Sequence, residues 1–184
     1  MIPPILILMF IIVVFTFRSF LQAAIVYFII PFSFIGVAWG HYIQGYIVSM
    51  LSIFGMIALI GIVVNDSLVF VGAMNRLLKA GKKFQDALFE AGMSRFRPVL
   101  LTSLTTLSPL IFETSHQAQF LSPMAISVAY GLLFGTLMTL LMLPSLLMAT
   151  NQLKIIIFGL FRKQKPTPEE VEPAVREEVF VKNY

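Results

Sequence analysis

The sequence contains no cysteine and little charge. Among its 184 residues there are 13 Lys and Arg, 9 Asp and Glu, and a single tryptophan. Without cysteine there is no disulfide framework and no thiolate metal site, although this says nothing about compartment. Charged residues make up 12% of the chain, against about 25% in an ordinary soluble domain, and 58% of the residues are hydrophobic. Mean hydropathy is +0.90. A water-facing exterior is therefore excluded for most of the chain. The net charge of +4 is no sign of nucleic-acid binding, because the basic residues fall in three separate places.

Apolar stretches run over residues 5–17, 21–39, 50–74, 98–112 and 122–148. A transmembrane helix needs about 20 apolar residues, so these are five candidate spans of an all-α integral membrane bundle covering residues 1–150. The first is short and lacks the basic flank and small-residue cleavage site of a secretory leader, so it reads as a helix cut in its middle.

The basic residues orient the bundle. Arg18 follows the first span. Arg76, Lys79, Lys82, Lys83, Arg95 and Arg97 lie between the third and fourth, and the rest lie in the tail from Lys154 to Lys182. Five spans put all three groups on one side, which the positive-inside rule assigns to the cytoplasm. Trp39, Tyr42 and Tyr46 then mark an outer turn at the headgroup boundary.

Between the third and fourth spans, residues 75–93 repeat apolar positions at Leu77, Phe84, Leu88 and Ala91 beneath a basic face. This pattern predicts an amphipathic helix lying on anionic lipid at the cytoplasmic surface. Residues 151–184 form a cytoplasmic tail. Its apolar run 155–161 is too short to cross, the sequence Thr167-Pro168-Glu169-Glu170 resembles a helix start, and the remainder has no means to bury a core.

The most informative segment is Gly61 to Leu68, because it places Asp66 about two turns inside the third span. An ionised carboxylate at such depth costs roughly 2.5–3.5 kcal/mol on insertion scales, so it requires a partner. Ile62, Val63, Val69, Phe70 and Ala73, its neighbours at helical spacing, are apolar, so that partner is another helix or water. Asn65 lies on a stripe with Ala58, Gly61 and Gly72, small residues that admit a neighbouring helix. The fourth span carries Thr102, Ser103, Thr105 and Thr106, and packing against it would set Asp66 among hydroxyls. The alternative role for Asp66 is simple interhelical adhesion.

Gly131 and Gly135 form a GxxxG packing pair in the fifth span. His41 and His116 stand alone in outer loops without further metal-type ligands, and Glu113 reads as a helix-end charge. No phosphate loop, nucleophile elbow or zinc motif is present, so neither a cofactor nor a metal is expected. Intramembrane aspartyl proteolysis would need two carboxylates within the spans, and only Asp66 is there.

Several runs together resemble the resistance-nodulation-division transporters, in particular their hydrophobe/amphiphile efflux branch. They are Phe17 to Gln22, Gly61 to Val71, Arg97 to Leu104, and Gln117 to Ser127, and the resemblance covers about residues 2–150. It implies spans eight to twelve of a twelve-span subunit: the C-terminal fragment of a proton-driven exporter of drugs and amphiphiles, not competent alone. It also implies a bacterial inner-membrane location and a homotrimer working with a periplasmic adaptor and an outer-membrane channel. Arg95 and Thr102 match the family's proton-relay arginine and threonine. Asn65 stands where well-studied pumps carry a relay lysine and is neutral, so the charge balance shifts to the adjacent Asp66. A second departure is a shortening of about three residues between Thr106 and Pro109, close to one helical turn. A protein-export or lipid-handling member of the same fold, or a remnant acting as a scaffold, are the competing readings.

Overall fold

The computed structural model describes residues 2–112 and 116–161, together with 168, 171, 172 and 175. Its described residues form five α-helices and no strands: α1 (Ile2–Phe17), α2 (Phe20–Gln44), α3 (Met50–Lys79), α4 (Phe84–Phe112) and α5 (His116–Phe161). An all-α bundle is what the apolar runs require, because in lipid each backbone polar group must be satisfied within its own helix.

The helix ends follow from local chemistry. Ser19 caps α2 by accepting from the Gln22 amide at 3.4 Å. Gly45, at φ 69°, closes the other end of α2 in the left-handed region that a residue without a Cβ adopts at little cost. Ser49 and Ser52 exchange hydrogen bonds as a capping box at the start of α3.

Among the described residues, α2, α3 and the 120–156 portion of α5 are long and apolar enough to cross a membrane, with mean hydropathies of 2.1, 2.2 and 2.0. The apolar part of α1, Leu6–Phe17, is shorter than a span. α4 is not among the three, because its first half carries Asp86, Glu90, Arg95 and Arg97 ahead of the apolar run. The stretch 106–109, where the resemblance suggested a shortening, lies inside continuous helix.

Two boundary expectations are corrected. Residues 75–93 are not one surface helix: α3 continues to Lys79, a turn with Gly81 at φ 82° follows, and α4 starts at Phe84. Phe84, Leu88 and Ala91 do share one face, but that face is buried in the protein core rather than laid on lipid. The start of the tail is also different. Residues 151–161 continue α5 without interruption, because the apolar run 155–161 extends a helix already propagating. Val171 and Glu172, expected in a tail without a core, are buried. Apart from Pro168, the Thr167-Pro168-Glu169-Glu170 helix start lies outside the described residues.

α5 is the axis of the bundle and packs chiefly against α2 and α3. Gly131 and Gly135 make this possible. A Cβ at Gly131 would come within 2.3 Å of Leu59 Cδ2 on α3 and 2.8 Å of Val37 Cγ2 on α2. At Gly135 it would meet Ser33 Cβ at 3.0 Å and Val63 Cγ2 at 3.1 Å. The same closeness recurs at Gly36, where the added carbon would lie 2.5 Å from the backbone oxygen of Tyr130, and at Gly55, 2.6 Å from that of Met124. Contacts advance together along α3 and α5, from Gly55 with Met124 through Leu59 with Gly131 to Val63 with Gly135, so these helices run parallel. α2 runs antiparallel to α5, with Gly36 beside Tyr130 and Gln22 near the other end sharing Glu172 with Asn151.

Gly61 and Gly72 behave differently from the stripe reading. Nothing among the described residues lies within 4 Å of a Cβ built on either, and Asn65 and Ala58 are exposed beside them. Within this chain the small-residue stripe of α3 therefore faces outward, and close approach occurs on the other side of that helix.

Polar links fasten the helices where lipid or apolar packing would leave donors unmet. At one end His41 Nε2 lies 2.8 Å from Ser52 Oγ, and Gln44 donates to Tyr130 Oη at 3.0 Å. At the other, the side-chain amides of Gln22 and Asn75 pair at 3.3 and 3.5 Å. Such bonds average about 0.6 kcal/mol in membrane bundles and reach about 1–2 kcal/mol. The outer surface carries Phe15, Phe28, Trp39, Ile47 and Phe120, all exposed. An apolar exterior of this extent suits hydrocarbon and would aggregate in water.

Because the Gly36 contact is with backbone, α2 has to move for any side chain to fit. Gly36→Val should lower stability in detergent by about 1–3 kcal/mol, read as a fall in Tm, whereas Gly61→Ala should cost nothing and gain helix propensity. Equal effects of the two substitutions would refute this order of packing.

Candidate functional site

The parallel register of α3 and α5 decides what surrounds Asp66. One turn beyond the Val63–Gly135 contact, Asp66 and Phe70 of α3 meet Thr136, Thr139 and Leu140 of α5, and Arg95 of α4 completes the ring. These six residues line a cavity of ≈ 10 Å³. That is about the space that a single water needs. Asp66 and Arg95 are both half-buried, and they share the cavity rather than a contact ion pair.

One atom there is unusual. Among the described residues, Thr136 Oγ1 is the buried side-chain oxygen or nitrogen left without a hydrogen-bond partner. A hydroxyl in that state costs about 1–3 kcal/mol unless something satisfies it. Thr139, one turn on, spends its proton on the Gly135 carbonyl at 2.8 Å and leaves its oxygen lone pairs open. The site thus combines a carboxylate, a permanent cation, one unspent hydroxyl and room for about one water. This set is suited to holding and passing a proton within an apolar helix bundle.

Of the residues expected at the site, Asp66 and Arg95 line the cavity and the threonines of α4 do not. Thr102, Thr105 and Thr106 bond back to carbonyls of their own helix at 2.9, 2.9 and 2.8 Å, and Thr102 and Thr105 are exposed. The side chain of Ser103 lies outside the described residues. Asn65 is exposed on the outward face of α3 and does not line the cavity. Of Asp66, Asn65, Arg95 and Thr102, the structure therefore brings together Asp66 and Arg95. Thr136 and Thr139 were missed. The available signal was their spacing of three residues, which puts both hydroxyls on one face of an otherwise apolar helix directly after the GxxxG pair.

His41 is no loop residue. It is buried at the end of α2, with Nδ1 3.1 Å from the Val37 carbonyl and Nε2 engaged by Ser52, which occupies both ring nitrogens structurally. Glu113 and the side chain of His116 lie outside the described residues.

The described residues thus form a helical membrane bundle in which an acid and a cation face one small internal cavity. The chain belongs to the AcrB/AcrD/AcrF family, whose family model matches residues 1–151, and hence to the resistance-nodulation-division transporters. A curated relative, the swarming motility protein SwrC of Bacillus subtilis strain 168, is 33% identical over 168 residues. The match covers 89% of this chain and 15% of SwrC, so the chain spans about one-seventh of that relative's length.

If Asp66 and Arg95 interact across the cavity, their substitutions should not be additive. A double-mutant cycle with Asp66→Asn and Arg95→Leu, followed by thermal unfolding in detergent, should give a coupling of about 1 kcal/mol, discounted for half-exposure. Thr136→Val should leave Tm unchanged or raise it, because it removes a buried hydroxyl whose hydrogen bond no protein group provides.

Proposed function

We propose that this chain is the C-terminal membrane portion of a proton-driven exporter of amphiphilic compounds, an H+/substrate antiporter, in which Asp66 accepts and releases the coupling proton. The observation that carries the reading is the shared cavity: Asp66 from α3, Arg95 from α4 and the unpartnered Thr136 hydroxyl from α5 converge on one water-sized space. Because three helices contribute, a change of charge at Asp66 alters the attraction between α3 and α4 and the hydrogen bonding to α5 together. Protonation is in this way linked to helix position. Arg95 sets the field at the carboxylate, and Thr136 with one water supplies the path.

Asn65 and Thr102, the other family relay positions, face outward, where helices from the rest of a twelve-span subunit would meet them. The small match to SwrC in that protein's length fits a chain that works as part of a larger assembly. The corresponding setting is a bacterial inner membrane with the basic end of the bundle and the C-terminus in the cytoplasm, and a homotrimer engaging an adaptor and an outer channel. Lipid is the chain's immediate partner.

The reading is tested in a transporter carrying this segment, reconstituted in vesicles with an imposed proton gradient and loaded with a fluorescent amphiphile. Asp66→Asn should reduce proton-driven efflux at least tenfold at unchanged abundance, and Asp66→Glu should retain part of it. Full efflux with Asn at this position would remove Asp66 from the mechanism.

A further inference from the structure

At the basic end of the bundle, the proton-site reading leaves one buried charge without a role. Glu172 belongs to the segment after α5, yet its side chain is only 2% exposed. Its Oε1 accepts from Asn151 Nδ2 at 2.8 Å and from Lys154 Nζ at 3.2 Å, both on α5. Its Oε2 accepts from Gln22 Nε2 of α2 at 3.1 Å and again from Lys154 at 3.2 Å. Gln22 is paired in turn with Asn75 of α3. The carboxylate thus joins α2 to α5 directly, and the Gln22–Asn75 pair adds α3. Two further contacts hold the same segment: Asn151 donates to the Pro168 carbonyl at 2.8 Å, and Val175 packs against the apolar core beside buried Val171.

A buried carboxylate is tolerated only when its lone pairs are filled and its charge is compensated, and here one ammonium and two amide donors meet both conditions. Pro168 also forms one wall of a cavity of ≈ 380 Å³ whose other walls include Phe84, Asp86, Met148 and Ile155 of α4 and α5.

We propose that Glu172 is a docking latch: its carboxylate clamps α2 to α5 in one spacing, α3 being held through the Gln22–Asn75 pair, and its release frees that spacing. The latch restrains α5, the same helix that carries Thr136 and Thr139, but its existence does not depend on proton coupling.

The chain has no cysteine, so single cysteines can be introduced without background. In the detergent-solubilised 184-residue chain, Val171→Cys should react with a polar maleimide at least tenfold more slowly than Ala80→Cys, an exposed position at the same end. Adding Glu172→Ala to Val171→Cys should raise its rate to that of Ala80→Cys. A second measurement avoids relying on the cysteine. Glu172→Ala should lower Tm, and a chain ended after Lys165, which also loses the Pro168, Val171 and Val175 contacts, should lower it further. Fast labelling of Val171→Cys in the intact chain, a rate indifferent to Glu172→Ala, or a Tm that only the truncation lowers would overturn the latch. None of these outcomes touches the role of Asp66, which is read by efflux.

Discussion

The structure depends on the close approach of α5 to two helices at once, and that approach depends on glycine. At Gly131 and Gly135 the side chains of α2 and α3 enter the space that a Cβ would fill, so the axes of three helices can come near enough for dispersion and short polar bonds to hold them. In hydrocarbon there is no hydrophobic force between apolar helices, so this contact distance largely sets the strength of association. The rest follows from it in order. Leu59 with Gly131 and Val63 with Gly135 set the register, the register places Thr136 and Thr139 at the level of Asp66, and α4 brings Arg95 to the same level.

A charged pair inside a membrane protein is costly unless it is compensated, and the arrangement around Asp66 compensates it incompletely. A contact ion pair would hold the carboxylate ionised and fix the helices. The observed cavity instead brings the two charges and an unpaired hydroxyl to one small space. A fully satisfied network rigidifies a core, whereas an open one leaves room for rearrangement. The Glu172 cluster at the basic end is the contrast: each carboxylate oxygen there has two donors, and the assembly reads as a fastening.

The two faces of α3 have separate roles. The side with Leu59, Val63 and Phe70 is buried against the bundle, while Ala58, Gly61 and Asn65 point away from it. Small residues on an outward face of a membrane helix are suited to receiving another helix.

Composition and periodicity determined that the chain is a helical membrane bundle, because a charge fraction this low and apolar runs this long have no other stable solution in lipid. They also singled out Asp66, since a lone carboxylate in an apolar span stands out whatever surrounds it. The GxxxG spacing was visible too, but not which helices it would meet. Only the tertiary structure decided that Thr136 and Thr139, rather than Thr102, Thr105 and Thr106, face the acid, because hydroxyls of both helices have suitable spacing and the choice depends on how α5 rotates against α3. It likewise decided that Phe84, Leu88 and Ala91 bury against protein instead of lipid, since an amphipathic pattern specifies an apolar face and not what covers it. Glu172 is the extreme case: its significance lies wholly in residues far away along the chain, Gln22, Asn151 and Lys154, and no local pattern could assign them to one carboxylate.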